Sequence, residues 1–301
     1  MFVPDKEPQA VKLIVQPDGG MPPIVNAIKQ ARKSIDILIF RLDRGEIARS
    51  LCAAVTRGVV VRALTAHTNR GGDKSLRKLE LQLLEGGVTV SRTADDLVRY
   101  HGKMMIVDAR MLHIYGFNFT ALDIGKSRSF GVISRNQRLV QEASRLFEAD
   151  FNRQTYSAGY ERFVVSPENA RDRLARFIRG ARRQLLIYDP QLTADAMRQI
   201  LVAKAKAGVD VRVIGKVEAK WDLKGEKLGR RLHVRAIIRD GSRAFVGSQS
   251  LRKLELEKRR EVGVIVDDPK VVRRMTTVFE EDWAATEGGK KAAKKELAAA
   301  S

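Results

Sequence analysis

Residues 100–120 read YHGKMMIVDARMLHIYGFNFT, and within them His101-x-Lys103-x4-Asp108 is followed ten residues later by Asn118. In an extended strand alternate side chains share a face. His101 and Lys103 therefore point the same way, with Met105 and Val107 continuing that face, and the apolar residues around them mark a buried strand. A nucleophile or proton carrier thus stands beside a fixed cation. Asp108, seven residues after His101, falls on the opposite face of a regular strand, and so suits holding the strand end better than touching substrate. Alone, this spacing is a weak signal; its weight depends on the rest of the chain.

Outward from this stretch the chain alternates short apolar runs with amphipathic segments. Strands are expected at Val11–Val15, Ile35–Phe40, Val59–Leu64 and Phe130–Ser134, with a hairpin partner at Met111–Tyr115. Helices are expected at Pro22–Lys33, Gly45–Arg57, Lys74–Glu85 and Gln137 to about Phe151. Alternation of this kind predicts an α/β protein whose sheets are covered by helices.

From about Glu161 the pattern begins again. AIKQARKSIDILIF (27–40) lies over RFIRGARRQLLIYDP (176–190), and GVVVRAL (58–64) over GVDVRVI (208–214), both at an offset of 150. Later the offset becomes 132, which places His101 on His233, Gly131-Val-Ile on Gly263-Val-Ile, and FEADF (147–151) on FEEDW (279–283). The chain therefore reads as two copies of one unit, 1–156 and 157–284, followed by a low-complexity basic and Ala-rich tail, 285–301, expected as frayed helix or disorder. Two such copies related by a pseudo-two-fold can bring equivalent strands together in one monomer.

The composition limits the partners. Of 301 residues, 56 are Lys or Arg and 36 Asp or Glu, a net charge of +20. The tail carries four Lys and two Glu, so the body keeps +18. A body this basic attracts polyanions: nucleic acid, an anionic membrane surface, or a phosphate-bearing substrate. Cys52 is the single cysteine, which excludes an intrachain disulfide and a cysteine metal site and fits the cytoplasm. The N-terminus has no signal-peptide pattern, and no stretch approaches the roughly 18 apolar residues of a bilayer span. Any membrane would be met peripherally. His67 and His113 have no partner motif and read as structural or surface residues. Lys74, Arg77 and Lys78 read as a solvated helix face first and a substrate-binding patch second. Lys253, Lys258, Arg259 and Arg260 do too, with a possible place on the rim of a site.

The second copy of the opening stretch is LHVRAIIRDGSRAFVGSQS (232–250). It holds His233-x-Arg235-x4-Asp240 and then Gly247-Ser248-x-Ser250. Two such segments at matching places of a repeat are far more specific than one. The chain resembles the phospholipase D superfamily, whose signature is H-x-K-x4-D followed by G-S-x-N, present twice. The resemblance runs to about Trp283. It implies two pseudo-symmetric α/β/α domains, each a mixed sheet flanked by helices, with both motifs at one site between the halves. It also implies cleavage or transfer of a phosphodiester through a phosphohistidine, with neither cofactor nor metal. One histidine attacks phosphorus, the other protonates the leaving oxygen and then activates water or an alcohol, and Lys103 and Arg235 clamp the non-bridging oxygens.

The departures from the signature are informative. In the first copy the G-S-x-N positions are Tyr115, Gly116, Phe117 and Asn118; in the second Ser248 is kept and Ser250 replaces the Asn. Asn118, Ser248 and Ser250 are thus the expected phosphate-binding or supporting groups, with Asp108 and Asp240 as structural members. Arg235 replaces a Lys, which keeps the charge but changes shape and reach. A carboxylate is expected about 28 residues after each histidine, to orient the histidine of the other half. Glu261 holds that position after His233, and Ser129 holds it after His101. His101 is therefore expected to have an orienting partner and His233 to lack one, which makes His101 the nucleophile and His233 the acid and base. The substrate expected is a phospholipid head-group diester. A nuclease acting on DNA or RNA and an inactive polyanion-binding module are the competing readings.

Overall fold

The computed structural model describes residues 11–68, 73–218 and 222–300; the segment 1–10, read above as lacking a signal pattern, lies outside them. The first half runs β1 (Lys12–Gln16), α1 (Pro22–Gln30), β2 (Ser34–Ile39), α2 (Gly45–Thr56), β3 (Val60–Thr65), α3 (Asp73–Glu85), β4 (Thr89–Arg92), β5 (Arg99–Tyr100), β6 (Met104–Val107), β7 (Met111–Tyr115), α4 (Ala121–Lys126), β8 (Ser127–Ser134) and α5 (Gln137–Phe151). The second runs β9 (Phe163–Ser166), α6 (Ala170–Arg179), β10 (Gln184–Leu192), α7 (Asp195–Lys206), β11 (Asp210–Val217), β12 (Gly225–Glu226), β13 (Arg231–Leu232), β14 (Arg235–Arg239), β15 (Arg243–Gly247), α8 (Lys253–Glu257), β16 (Arg259–Val266) and α9 (Pro269–Ala284). The tail forms α10 (Glu287–Ala300). Its start is anchored where the Gly288 N–H donates to Glu226 Oε2 at 2.9 Å.

Two mixed eight-stranded sheets result. The first has the order β1-β8-β7-β6-β2-β3-β4, the second β12-β11-β10-β14-β15-β16-β5, with β9 also on β16. The sequences explain the register. In β6, Met104 and Ile106 enter one apolar cluster while Met105 and Val107 enter another, so both faces are covered. Buried on both faces, such strands read as continuous apolar runs. The helices packed outside each sheet take part in separate clusters, one per half. The third cluster is shared: strand residues such as Phe130, Val132, Tyr188 and Val264 meet α5 (Val140, Phe147) and α9 (Val272, Phe279) between the sheets. The two helices are capped alike, by Asn136 accepting from the Leu139 N–H and by Asp268 accepting from the Lys270 and Val271 N–H groups.

The halves also exchange strands. β5 belongs to the first half by sequence yet pairs with β16, and β13 belongs to the second yet pairs with β8. These short pairings carry each motif histidine across the boundary. The N–H groups of His101 and Gly102 donate to the Arg260 carbonyl at 2.7 and 3.0 Å, and the N–H of His233 donates to the Arg128 carbonyl at 3.1 Å. The continuous strand expected through His101 and Lys103 is thus interrupted: residues 101–103 form a crossing between β5 and β6.

Candidate active site

The crossing segments bring His101 and His233 to the wall of one cavity of about 270 Å³, with Phe40, Asn118, Asp123 and Arg231 among its other walls. His101 is 7% exposed and Lys103 fully buried. Glu261 comes from β16, the strand on which β5 docks, and its Oε2 lies 2.9 Å from His101 Nδ1. The carboxylate accepts, so Nδ1 carries the proton and Nε2 keeps its lone pair. Lys103 Nζ is 2.9 Å from both ring nitrogens, and Phe40 packs edge-on against the ring at 4.5 Å between centroids. Ring, tautomer and cation are therefore all held before any substrate arrives.

His233 is held differently. Its Nδ1 donates to the Gly116 carbonyl at 3.1 Å, and its Nε2 lies 3.6 Å from Asp123 Oδ2. Asp123 in turn accepts from the Asn118 N–H and from Asn118 Nδ2, at 3.0 and 2.7 Å, and from Arg231. His233 thus has an acidic neighbour, contrary to the expectation drawn from Ser129. That serine reaches the backbone instead, donating to the His233 carbonyl at 3.4 Å. Gly116 is required here by close approach: a Cβ would stand 3.0 Å from the Phe130 carbonyl oxygen and 3.2 Å from that of Gly247.

Of the remaining predicted residues, Arg235, Ser250, Ser248 and Asn118 stand near this centre. Arg235 is 9% exposed; its Nε donates to Ser250 Oγ at 3.2 Å and lies 3.7 Å from Glu255. Ser248 Oγ is tied to the backbone of Val262, accepting from its N–H at 3.1 Å and donating to its carbonyl at 3.3 Å. Ser248 therefore fastens the strand beside Glu261. Asn118 has its Nδ2 committed to Asp123, and its Oδ1 is buried without a partner. Asp108 and Asp240 lie at the far strand ends. Each accepts from consecutive backbone N–H groups, Arg32 to Ser34 and Arg182 to Gln184, that open β2 and β10. His113 is buried in the core against the Tyr115 hydroxyl at 3.0 Å.

Two charged groups differ from their reading as solvated residues. Arg259 and Arg260 are 8% and 5% exposed. Arg259 pairs with Glu255 at 3.1 Å and lies 3.8 Å from Glu261. Arg260 reaches Asp150 at 3.1 Å and Glu168 at 2.5 Å. The pairing repeats 132 positions earlier, where Arg128 holds Asp282 through two contacts of 2.7 and 3.0 Å. Each half thus extends an arginine to an aspartate at the end of the other half's central helix. The same offset puts Asp123 on Glu255, and both accept the N–H of the residue five before, Asn118 and Ser250. That repeated acid was the available sequence signal for Asp123.

Burial dominates the electrostatics. It pushes Lys103 down to about 7, against the attraction of Glu261. Burial, then Lys103 and Arg235, keep His101 well below the usual imidazole range. Burial and Arg235 do the same to His233, with Asp123 opposing them. Burial raises Glu261, while Lys103 and Arg235 pull it back. Cations and carboxylates thus share a desolvated space, where the attraction of a bound anion for Lys103 and Arg235 is little screened. A lone pair on one histidine and an acid-assisted second histidine on the same cavity wall are the parts needed for in-line displacement at phosphorus.

Comparison with known proteins gives the family. The family described as "Cardiolipin synthase, PLD-like domain" matches residues 24–151 and 174–283. The minor cardiolipin synthase ClsB of Bacillus subtilis (strain 168) is 21% identical over 313 residues, spanning 88% of this chain and 79% of that protein. Among solved structures, phosphatidylserine synthase of Haemophilus influenzae Rd KW20 gives a TM-score of 0.70 over 92% of this chain and 87% of the other, at 10% identity. Polyphosphate kinase from Porphyromonas gingivalis gives 0.74 over 90% of this chain, at 18% identity, and the chain spans 50% of its length. At these identities the structural likenesses speak to fold. The family match covers most of both repeats, including both histidine motifs, and the chain belongs to the phospholipase D superfamily.

Proposed function

We propose that the chain cleaves or transfers phosphodiesters without a metal, through a phosphohistidine on His101, and that its substrate is a phospholipid. The observation that carries this reading is the 2.9 Å contact between Glu261 Oε2 and His101 Nδ1, made on the same cavity that His233 lines. In the first step His101 Nε2 bonds to phosphorus and the bond to the leaving oxygen breaks. His233 Nε2 gives that oxygen its proton. In the second step water or an acceptor alcohol loses a proton to His233 and bonds to phosphorus as the His101–phosphorus bond breaks. Lys103 and Arg235 offset the charge on the phosphoryl oxygens. A bound anion also raises Lys103 and His233 toward their protonated forms, so substrate binding charges both the clamp and the acid.

The lipid reading draws support from the family and from the cavity mouth. Val98 and Leu122 are 58% and 47% exposed; Leu122 lines the cavity and Val98 adjoins Arg99, which also lines it. Exposed apolar residues among Arg41, Arg99 and Arg231 suit peripheral docking on an anionic bilayer from the cytoplasmic side. Among the described residues no helix is long and apolar enough to cross a membrane.

The test compares wild type with His101→Asn on phosphatidyl lipids in anionic vesicles and on DNA and RNA, with and without chelator. Wild type is expected to turn over lipid in chelator, and the variant to be inactive. Cleavage of nucleic acid alone would replace the lipid reading with a nuclease. No turnover of any diester, nitrophenyl diesters included, would overturn the enzymatic reading in favour of polyanion binding.

A further inference from the structure

A second cavity, of about 710 Å³, lies beside the catalytic one and shares Arg231 with it. Its volume falls within the roughly 300–1,000 Å³ usual for organic-ligand sites. Its apolar lining is Pro190, Val217, Leu228 and Leu232, all half-buried. Leu228 and Leu232 also pack against the core shared by the two halves. Among the described residues, the charged lining is Lys216, Lys227, Arg230 and Arg231, all exposed, and none of it is acidic.

We infer that this groove holds an acyl chain of the lipid substrate while the diester occupies the catalytic cavity. The inference rests on the reading of that cavity as a phospholipid site. Two features choose the occupant. The groove adjoins the catalytic cavity, since Arg231 stands in the wall of both. Apolar side chains lie among exposed cations, the complement of an anionic amphiphile: apolar surface removes a chain from water, and lysines and arginines meet phosphates at the lipid surface.

The backbone forms the groove by close approach. Gly225 on β12 packs on Gly215 of β11, where a Cβ would meet the Gly215 carbonyl oxygen at 2.3 Å. Gly215 itself has φ +145°. A side chain at Gly225 would force the strand pair apart, disturbing the wall between Val217 and Leu228. The first half has α3 and β4 at the equivalent place, so the groove belongs to one side of the pseudo-symmetric site.

Two measurements test this. In the first, the full chain is photolysed with phosphatidylglycerol carrying a diazirine in its acyl chain, and labelled peptides are mapped. Labelling is expected within residues 215–217 or 225–232, and excess dioleoyl phosphatidylglycerol should suppress it. Labelling elsewhere, or none, overturns the proposal, and this readout needs no turnover. In the second, Val217→Asp and Leu228→Asp are assayed on dioleoyl phosphatidylglycerol, dihexanoyl phosphatidylglycerol and bis(p-nitrophenyl) phosphate. The ratio of kcat/KM for the dioleoyl lipid to that for the nitrophenyl diester should fall at least tenfold in each variant, and the dihexanoyl ratio much less. A parallel fall on all three substrates, or no fall, overturns the acyl-chain assignment. Turnover of the nitrophenyl diester but of neither lipid would sink the groove proposal while leaving the phosphodiesterase chemistry standing.

Discussion

Glu261→Gln keeps the shape of the site and removes one negative charge, and its effect can be worked out atom by atom. The wild-type carboxylate is fully buried. One oxygen accepts from His101 Nδ1 at 2.9 Å, and the other lies 3.8 Å from Arg259 Nη1. An amide must turn its oxygen one way and its NH2 the other. Arg259 favours the oxygen on its own side, which points the NH2 at Nδ1. Nδ1 must then accept, and the ring proton moves to Nε2, the atom that has to attack phosphorus. In a histidine–carboxylate pair of the serine-protease type, the same wrong tautomer costs about 10,000-fold. We expect a loss of about 1,000- to 10,000-fold in the first step, about 4–5 kcal/mol of barrier. Glu261→Ala, which leaves the ring free to choose its tautomer, should lose less. Single-turnover release of p-nitrophenolate from bis(p-nitrophenyl) phosphate, with enzyme in excess, reads this step directly. A Gln variant within tenfold of wild type, or an Ala variant slower than Gln, would refute the orienting role.

Other perturbations probe other parts of the account. Asp123→Asn removes the charge that opposes the depression of His233, so the imidazolium is lost at lower pH. The alkaline limb of the rate with an alkyl leaving group should therefore move to lower pH, and nitrophenyl diesters should be spared because their leaving group needs little protonation. Lys103, near 7 when buried without an anion, should take up a proton when sulfate binds. Sulfate affinity is then expected to fall as pH rises above about 7, calorimetry in buffers of different ionisation enthalpy should show the uptake, and Lys103→Met should reduce it to the share that His233 takes up. Arg128→Met strips the buried Asp282 of its two-contact partner and should cost about 3–5 kcal/mol in denaturant unfolding. A cost below about 1 kcal/mol would mean that this cross-half contact does not fasten the halves.

The sequence carried the parts of the fold that repeat locally. Ile35–Phe40 and Val59–Leu64 are apolar runs of strand length, and the observed strands Ser34–Ile39 and Val60–Thr65 differ from them by one residue at each end. Contacts across the halves were less legible, because their partners are distant. Nothing in the Arg99–Tyr100 or Arg231–Leu232 dipeptides marks a strand, since each pairs only with the other half. Arg259 and Arg260 follow Lys258 and read as a solvated charge run; Arg259 pairs with Glu255 four residues before it, while the burial of Arg260 depends on Asp150 and Glu168, both distant in sequence. Asp123 escaped notice because it lies past the motif, although its repeat partner Glu255 could have pointed to it. The tail, rich in Ala, Lys and Glu, follows its intrinsic helix propensity, and its anchor at Glu226 is again a long-range contact.

In the mechanism proposed above the two motifs divide one reaction, with His101 bonding to phosphorus and His233 moving protons. Bis(p-nitrophenyl) phosphate separates the two roles, because nitrophenolate leaves without an acid. Mixed with excess substrate, His233→Ala should release one equivalent of p-nitrophenolate and then stall, leaving an acid-labile, base-stable phosphoryl adduct that peptide mapping places on His101. His101→Ala should give neither burst nor adduct. A burst in His101→Ala with the adduct on His233 would reverse the assignment, and steady turnover by both variants without an adduct would contradict the covalent mechanism altogether.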